Sequence, residues 1–347
     1  MTEPQPQPVS GTVGGPPLAG GAAGAVRDAV MTGGRPSALV TTRPDGGTVG
    51  TVTRPDGPDA GLSPAELAAR HGLTVSGARP SAAAYARLLW SRRAFVLAYA
   101  TARLTALYTT AKLGQVWQVM TPLLNAGVYY LIFGLLLQTS RGIPNFIAYL
   151  CTGIFVFQFT QSAVLSGTRS IADNLGLIRA LHFPRACLPI AMTVIQLQQL
   201  MFSMGVLAVI VLLTGEPFTL RWLFFLPALA LQFVFNAGLA LVMARIGAKT
   251  TDTAQLMPFV MRTWMYLSGV FYSIAVFTAH APHWATTVLN LNPALVYIAL
   301  VRYALIQSQT AATLPPHVWP LALAWAVVVG CAGYLFFWQA EEEYGRG

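Results

Sequence analysis

Polar side chains that recur along one apolar segment are the first candidates for chemistry in this sequence. Between residues 186 and 214, four of them follow one another at steps of three, three and four: Thr193, Gln196, Gln199 and Ser203. These steps place the four side chains on one face of an α-helix. Because amides inside an apolar segment must find hydrogen-bond partners, this face either lines a polar pathway or bonds to neighbouring helices. The sequence leaves both alternatives open.

A single arginine and a pair of histidines are further candidates. Arg262 lies inside an apolar stretch, where an ionisable side chain is a functional candidate, here for a diphosphate or as an inner gate. Since Arg262 is near one end of that stretch, the alternative is that its side chain reaches the membrane surface. His280 and His283 could share a metal ion on a helix, but Pro282 and the lack of a third ligand argue against a metal site.

The composition shows what kind of scaffold must position these residues. Of the 347 residues, 55% are hydrophobic and only 10% are charged, whereas a soluble domain carries about 25% charged residues. Most of the surface must therefore face lipid, as in an integral membrane protein. The net charge of +9 comes from residues that cluster at the ends of apolar stretches, which indicates membrane topology and argues against a nucleic-acid partner. The three cysteines lack a CxxC spacing, which argues against a disulfide framework.

The chain divides into three predicted regions. Residues 1–80 are rich in Gly, Pro, Ala, Ser and Thr and bury too little apolar area to offset their conformational entropy, so we expect a disordered cytoplasmic tail. Residues 81–112 are predicted to form a cytoplasmic helix that lies on the membrane. Because Arg92 falls on its apolar arc, this helix either extends its arginines to lipid phosphates or breaks near Arg92. Residues 113–347 form the predicted transmembrane domain.

Six apolar stretches are long enough to cross a bilayer, which takes about 20 helical residues. Basic residues gather before the first stretch and in alternate connections, as at Arg169 and Arg185. By the positive-inside rule, both termini and the Arg169–Arg185 loop are predicted to be cytoplasmic, in a multi-pass protein of the plasma membrane. The predicted spans are about 120–140, 145–168, 186–214, 222–246, 256–278 and 318–340.

The stretch 281–307 is apolar, but Asn292, Pro293 and Arg302 interrupt it. A seventh span here would place the acidic C-terminus outside, so we expect a re-entrant pair of short helices on the outer side that turns near Asn292 and Pro293. Irregular backbone inside a membrane is tolerated only against protein or a water-filled cavity, which suggests a pathway. The predicted fold is an all-α integral membrane protein with six transmembrane helices, a cytoplasmic amphipathic N-terminal helix and this outer pair before the last span.

Three segments carry a resemblance to a known family. They read LGQVWQVMTPLLNAGVYYLIFG (Leu113–Gly134), NLGLIRALHFPRACLPI (Asn174–Ile190) and LNPALVYIALVR (Leu291–Arg302). In this order they resemble the first-span entry, the loop between spans two and three, and the Asn-Pro…Arg stretch of ABC-2 type exporter permeases that move lipid-linked polysaccharides, O-antigens and teichoic acids. Within that branch the chain looks most like the galactan exporters of actinobacteria. One motif differs, since the family's Tyr-Arg-Asp after span four is replaced by Lys-Thr-Thr-Asp at residues 249–252.

The resemblance implies a homodimeric channel among membrane lipids, driven by a separate cytosolic ABC ATPase subunit, with a lipid-linked glycan as substrate. ATP and Mg would be bound by the ATPase, and no cofactor by this chain. The sequence agrees that the motor lies elsewhere. A Walker A loop needs the pattern G-x-x-x-x-G-K-[ST], and in the nearest stretch, Gly247–Thr250, Ala248 stands before the lysine.

A permease driven by a cytosolic motor needs a contact surface outside the membrane, and the segment NLGLIRALHFPR fits this need. Leu175, Ile178 and Leu181 share a helical face that could dock in a cleft. The negative charge of Asp173 at the start of the segment stabilises a helix through its dipole. The alternative is a solvated loop that only obeys the positive-inside rule. The predicted ATPase-coupling residues are Asp173, Leu175, Ile178, Arg179, Phe183 and Arg185.

An extended glycan needs a polar or aromatic wall, because sugar faces stack on rings and hydroxyl groups need hydrogen-bond partners. Aromatic rings are available in the first and fifth predicted spans, including Trp264 and Phe271. The alternative is that these rings only pack against neighbouring helices, as aromatic side chains in membrane helices often do. The predicted pathway residues are Tyr129, Tyr130, Phe133, Gln196, Gln199, Arg262, Tyr266 and Tyr272, with Asn292, Pro293 and Arg302 in the outer helix pair.

The sequence therefore predicts a transporter subunit, the permease of an ATP-driven exporter for a galactan-like or teichoic-acid-like lipid-linked polysaccharide. One alternative is a membrane-bound glycosyl- or acyltransferase that acts on a lipid carrier. Such an enzyme would need paired carboxylates or a His–Asp pair near a membrane face, and Asp173, Glu216 and Asp252 stand alone. The other alternative is an ABC-2 permease for drugs or small lipids, which only the aromatic residues and the resemblance to the polysaccharide branch argue against.

Overall fold

The computed structural model of this chain divides into two compact units, Met1–Val75 and Ser76–Gly347. The predicted tail over residues 1–80 lies outside the described residues, apart from Glu66, Arg70 and Pro80, and every helix named below belongs to the second unit. The structure describes residues 66, 70, 80–109, 116–136, 143–181, 183–272, 282–310, 313–342 and 344.

The regular structure in these described residues is helical. A π-helix at Tyr130–Leu136 extends the third helix, and short 3₁₀ turns at Ala172–Asn174 and Leu220–Phe224 lead into the fifth and seventh. The helices are α1 (Ala82–Ser91), α2 (Arg93–Thr109), α3 (Val116–Tyr129), α4 (Phe146–Arg169), α5 (Leu175–Ala180), α6 (Cys187–Leu213), α7 (Phe225–Lys249), α8 (Thr253–Tyr266), α9 (His283–Leu291), α10 (Pro293–Leu305) and α11 (Val318–Gln339).

Four helices in the described part of the chain are long and apolar enough to cross a membrane. They are α4, α6, α7 together with its 3₁₀ turn, and α11, with 24, 27, 30 and 22 residues. Helices α9 and α10 meet at an angle of 73°, with Asn292 between them, and would add a fifth span if they count as one broken helix. The two helices and their bend are as predicted from residues 281–307, whereas their re-entrant path and the total of six spans stay predictions.

Two predicted spans differ from the observed helices. The first predicted span, 120–140, corresponds to α3 and its π-helical extension, which end at Leu136, and residues 137–140 lie outside the described residues. The prediction of one continuous helix over 256–278 is wrong, because α8 ends at Tyr266 and turns follow it up to Tyr272. Gly269 in these turns has a φ of 64°, a left-handed conformation that glycine adopts without steric cost.

In its described part, residues 81–109, the N-terminal segment predicted as one helix over 81–112 contains two helices. Ser81 begins α1 by accepting a hydrogen bond from the Ala84 N–H at 3.3 Å, and α1 ends where Arg92 leaves the helical conformation. Helix α2 then packs against α6. The sequence left open whether one helix extends its arginines to lipid phosphates or breaks near Arg92, and the structure has the break at Arg92.

Helix α7 packs closely against α4 and α11. Glycines permit this close approach, because a Cβ atom on Gly238 would overlap the Val329 carbonyl of α11. A Cβ atom on Gly247 would overlap the Thr168 carbonyl of α4. Small residues at such crossings let membrane helices pack backbone to backbone.

Replacement of Gly238 by alanine is therefore expected to destabilise the chain by about 1–3 kcal/mol, the usual cost of inserting a methyl group into a well-packed contact. Thermal unfolding of the detergent-purified protein measures the loss. Gly205→Ala is the matched control, because a Cβ atom there has no neighbour within 4 Å and alanine favours helix by up to about 1 kcal/mol. Equal melting temperatures for the two variants would contradict the close-packing interpretation.

The bundle has two ends of different character. At the end we call the basic end, Arg169, Arg245 and Lys249 finish their helices, and Trp338 of α11 donates a hydrogen bond to the Pro80 carbonyl at 2.9 Å. At the opposite end, the Glu216 carboxylate accepts from the Gln307 N–H at 2.8 Å. The α4–α6 connection lies at the basic end, whereas the α6–α7 connection lies at the opposite end.

Candidate functional site

Two adjoining cavities with volumes of about 160 and 250 Å³ lie among α3, α4, α6 and α8. They share Gln158 and Ser162 as lining residues, so we treat them as one feature, the amide groove. The first cavity is lined by Trp117, Thr121, Phe155, Gln158, Phe159, Ser162, Gln196, Gln199, Leu200 and Ser203. The second is lined by Asn125, Tyr129, Ile154, Gln158, Gln161, Ser162, Arg262 and Met265.

The polar face predicted on α6 contributes one wall of the amide groove. Gln196, Gln199 and Ser203 line the first cavity, as their helical spacing allows. Thr193, the fourth member of that face, is fully buried, and its hydroxyl donates to the Pro189 carbonyl of its own helix at 3.0 Å. The face therefore divides into three residues at the groove and one that bonds within α6.

The facing wall comes from α4 and was missed by the sequence analysis. Gln161 and Ser162 follow Gln158 by three and four residues in the predicted span 145–168, and all three line the groove. The spacing rule that singled out α6 applies equally to α4, so the signal was present in the sequence. Asn125 of α3 adds a further amide, and Thr121, four residues before it on the same helix, lines the first cavity.

Arg262 of α8 lines the second cavity together with Tyr129. Among the described residues that line the two cavities it is the only cation, and no carboxylate accompanies it there. Its side chain is exposed in the single chain. The groove can therefore offer many neutral hydrogen-bonding groups and one positive charge.

An aromatic cluster lies next to the groove, with Phe271 at its centre. Phe133 stacks on Phe271 with ring centroids 4.4 Å apart and planes 16° apart. The rings of Tyr129 and Tyr266 lie 4.9 and 5.4 Å from Phe271. The predicted pathway residues Tyr129, Phe133 and Tyr266 thus surround Phe271, which lies in the turns after α8.

Two other predicted pathway tyrosines lie outside this cluster. Tyr130 packs against Phe146 instead, at a centroid distance of 6.3 Å. Tyr272 is half-buried, and its backbone carbonyl accepts a hydrogen bond from the Tyr149 hydroxyl at 3.0 Å. Neither lines the two cavities in the described part of the chain.

Arg302 of α10 holds the turns after α8 in place. Its side chain is 4% exposed, and its Nε donates to the Tyr149 carbonyl of α4 at 3.1 Å. The two terminal nitrogens donate to the carbonyls of Gly269 and Val270, each at 2.9 Å. The Gly269 and Val270 carbonyls follow the end of α8 and have no partner in a helix, so they need other donors. Because Arg302 supplies these donors, the chain can leave the helical conformation after Tyr266.

Asn292 connects the same turns to the bend before α10. Its side-chain oxygen caps α10 by accepting from the Ala294 N–H at 3.1 Å, and it also accepts from the Trp264 indole at 2.9 Å. Its side-chain nitrogen donates to the Leu267 carbonyl at 3.2 Å. Pro293 occupies the first position of α10, where its missing N–H costs nothing. The residues predicted for the outer helix pair thus form one hydrogen-bonded assembly around residues 267–270.

A second polar cluster lies at the basic end. The Glu341 carboxylate accepts from the Tyr85 hydroxyl at 2.7 Å and from the Arg185 N–H at 3.0 Å, and the Ala186 N–H donates to the Tyr85 oxygen at 3.1 Å. Burial raises the pKa of Glu341, although the hydrogen bonds from Arg185 and Tyr85 oppose this shift. Burial also raises the pKa of Tyr85, and the nearby Glu341 charge adds to the shift. The cluster joins α1, the α5–α6 connection and the end of α11.

The predicted coupling residues around α5 separate into exposed and buried ones. Leu175 is 37% exposed and Leu181 is 51% exposed, and Asp173 and Arg179 are also exposed. Ile178 is only 7% exposed and packs in a core cluster with Tyr85 of α1. The predicted docking face of Leu175, Ile178 and Leu181 is therefore wrong for its middle member, because Ile178 is buried in this core cluster.

The last two coupling candidates anchor this connection to other elements. The Phe183 ring lies 5.2 Å from the Phe95 ring of α2. Besides its backbone bond to the Glu341 carboxylate, Arg185 donates from its guanidinium to the Glu341 backbone carbonyl. Both side chains position α5, which leaves Leu175, Arg179 and Leu181 as its accessible surface.

Comparison with known proteins adds to this geometry. The family model described as "ABC-2 type transporter" matches residues 95–306. An O-antigen export system permease protein RfbA of Klebsiella pneumoniae is 26% identical over 167 residues, which cover 48% of this chain and 64% of that relative. An O-antigen export system permease protein RfbA of Myxococcus xanthus is 24% identical over 207 residues, or 60% of this chain and 78% of the relative. The matches to the Klebsiella relatives thus span less than two thirds of their length. With helices that can cross a membrane and a family match over most of the described bundle, the chain belongs to the ABC-2 type transporter family.

Proposed function

We propose that this chain is the permease subunit of an ATP-driven exporter, not an enzyme, and that it moves a lipid-linked polysaccharide from the cytoplasm across the plasma membrane. The substrate would be galactan-like or teichoic-acid-like. The observation that carries the proposal is the amide groove, which concentrates hydrogen-bonding side chains in the middle of apolar helices. A polar face of this kind inside apolar helices is favourable where it meets other polar groups, and the hydroxyl groups of a glycan are such groups.

The groove suits sugar chemistry in two further ways. Amide side chains both donate and accept hydrogen bonds, as hydroxyl groups do. The aromatic cluster around Phe271 lies beside it, and the flat faces of sugar rings stack on such side chains. The relatives are named as O-antigen export permeases, which agrees with a polysaccharide as the cargo.

In the proposed topology the basic end faces the cytoplasm, since Arg169, Arg245 and Lys249 lie there and cytoplasmic ends carry the excess of basic residues. Both termini would be cytoplasmic, and α1 and α2 would lie at the membrane surface. The bent pair α9–α10 would re-enter from the outer side, and six spans would result if α3 and the α8 region each cross. Two copies of the chain would form the channel, each contributing one groove.

The proposed motor is a separate cytosolic ABC ATPase that binds ATP and Mg. Its docking surface on this chain would be the exposed part of α5, namely Leu175, Arg179 and Leu181. Through Phe183 and Arg185, movement of α5 would reach α2, α11 and the start of α6. Arg262, the cation at the edge of the groove, would bind the diphosphate of the lipid carrier.

Depletion of the protein in its own cells tests the proposed function. Lipid-linked glycan is then quantified separately on the inner and outer faces of the plasma membrane. We expect full-length polymer to accumulate inside while the outer pool disappears, and expression of the wild-type chain should restore the outer pool. Loss of the polymer from both faces would instead mean that the chain helps to build it, which would overturn the proposal in favour of an enzyme.

A further inference from the structure

We propose that the amide groove selects an uncharged glycan over a polymer that carries a phosphate in every repeat. This inference rests on the proposed function and narrows its substrate class. It follows from the types of side chain that line the groove. Five of the described lining residues are primary amides: Asn125, Gln158, Gln161, Gln196 and Gln199.

Hydrogen-bond matching is the first argument. Each amide presents a carbonyl acceptor and an NH₂ donor, and a sugar hydroxyl group can satisfy either one. A phosphate diester offers only acceptor oxygens, so the amide carbonyls opposite it would lose their partners. A buried polar group without a partner weakens binding. A phosphate-rich polymer would therefore pair with the NH₂ groups of the amides and leave their carbonyl groups without donors.

Charge is the second argument. Several phosphates passing through a groove between apolar helices would each need a cation, because buried charges without partners are strongly disfavoured. Arg262 is the single cation among the described lining residues. Arg302, a buried arginine near this region, already donates from all three of its side-chain nitrogens to backbone carbonyls. One guanidinium matches one anionic group on the cargo, such as a lipid diphosphate, and does not match an anion in every repeat.

The arrangement of the amides along the helices is the third argument. Gln158, Gln161 and Ser162 cover about one turn of α4, and Gln196, Gln199 and Ser203 about two turns of α6. Both rows are neutral over their whole length. A chain of uncharged sugars could slide along them by exchanging one hydroxyl partner for the next, with no strong electrostatic trap on the way.

Direct binding to the purified full-length chain tests the inference. The two probes are a polyprenyl diphosphate that carries four galactose residues and the same carrier with four glycerol-phosphate units. We expect the galactose probe to bind at least about tenfold more tightly, a difference of about 1.4 kcal/mol. Native mass spectrometry or quenching of tryptophan fluorescence, to which Trp117 in the groove wall contributes, measures both affinities.

A charge placed in the groove tests the mechanism. Gln196→Lys should reduce the preference for the galactose probe about tenfold by improving the binding of the phosphate probe. Gln198→Lys is the matched control, because Gln198 lies on the same helix but donates to the Thr101 hydroxyl at 3.2 Å and does not line the groove. If Gln196→Lys fails to fold, Gln161→Lys makes the same test from α4.

The outcomes distinguish this inference from the proposed function. Equal or tighter binding of the phosphate probe by the wild-type chain would overturn the inference and leave a polysaccharide permease in place. A preference for galactose that neither groove lysine reduces would also overturn it, because the selection would then arise elsewhere. Failure of the wild-type chain to bind either probe would count against the proposed function itself.

Discussion

Replacement of Arg302 by methionine is expected to destabilise the chain by roughly 2–4 kcal/mol and to abolish most of its export activity. The guanidinium is buried and donates to the carbonyls of Tyr149, Gly269 and Val270. Each buried oxygen left without a donor costs about 1–3 kcal/mol, and the loss is partly offset because the buried cation disappears as well. Thermal unfolding of the purified protein and appearance of the glycan on the outer face measure the two effects.

Export should suffer beyond the loss of stability, because Arg302 positions the turns that carry Phe271, the centre of the aromatic cluster beside the groove. Two of the three carbonyls that it holds, those of Gly269 and Val270, belong to the residues just before Phe271, on which Phe133 stacks. Without Arg302 the turns after α8 lose two anchors, at the Gly269 and Val270 carbonyls, and the central ring of the aromatic cluster is no longer held in place. Arg302→Lys should show the same defect in part, since a single ammonium group lacks the planar fork that reaches all three oxygens.

Arg221→Met provides the control for Arg302→Met. Arg221 lies in the 3₁₀ turn before α7, at the end of the bundle opposite the basic end. Its guanidinium lies 5.3 Å from the centre of the Tyr303 ring and donates a long hydrogen bond of 3.5 Å to the Gln309 carbonyl. Its loss should change stability by less than about 1 kcal/mol. If Arg302→Met melts and exports like Arg221→Met, the carbonyl contacts do not stabilise this region.

Replacement of Leu175 by aspartate is expected to reduce export by about tenfold or more while the chain stays folded and in the membrane. Leu175 is 37% exposed at the start of α5, so a carboxylate there meets solvent and also suits the helix N-terminus. In a complex with the ATPase the same carboxylate would be buried in an apolar contact, which is costly. ATP hydrolysis by the complex should persist, since the motor itself is unchanged, so the ratio of glycan exported to ATP hydrolysed is the quantity to measure.

Two further variants separate coupling from folding. Leu175→Met keeps an apolar side chain of similar volume and should export normally. Ile178→Asp should instead destabilise the chain, because Ile178 is 7% exposed and packs against Tyr85. Normal export by Leu175→Asp would remove α5 from the proposed coupling path, even if Ile178→Asp fails to fold.

Several features of the fold and the site follow from local sequence. A composition with few charged residues predicts a membrane protein, because a wetted surface cannot be built from it. Spacing of three and four residues predicts the groove face of Gln196, Gln199 and Ser203, since the helix repeat is a property of the backbone within two turns. The Asn-Pro pair at residues 292–293 predicts the bend between α9 and α10 because Pro293 favours the first position of a helix and Asn292 can cap it.

Other features depend on contacts between distant parts of the chain. Ile178 has the spacing of an exposed docking face, yet it is buried in a core cluster that includes Tyr85 of α1, and nothing near Ile178 in the sequence indicates this burial. The end of α8 at Tyr266 is also decided at a distance, because Arg302 and Asn292 supply the donors for the carbonyls that unwinding exposes.

The sequence by itself thus determined that the chain is a helical membrane protein of this family's pattern, and which polar residues share a helical face. Only the tertiary structure decided that the amide rows of α4 and α6 face each other across one groove, with Arg262 as its cation. The physical reason is range. Helix periodicity and capping act within a few residues, whereas a cavity, a buried hydrogen bond or a covered side chain depends on which helices approach each other, and close contacts such as that at Gly238 set this approach.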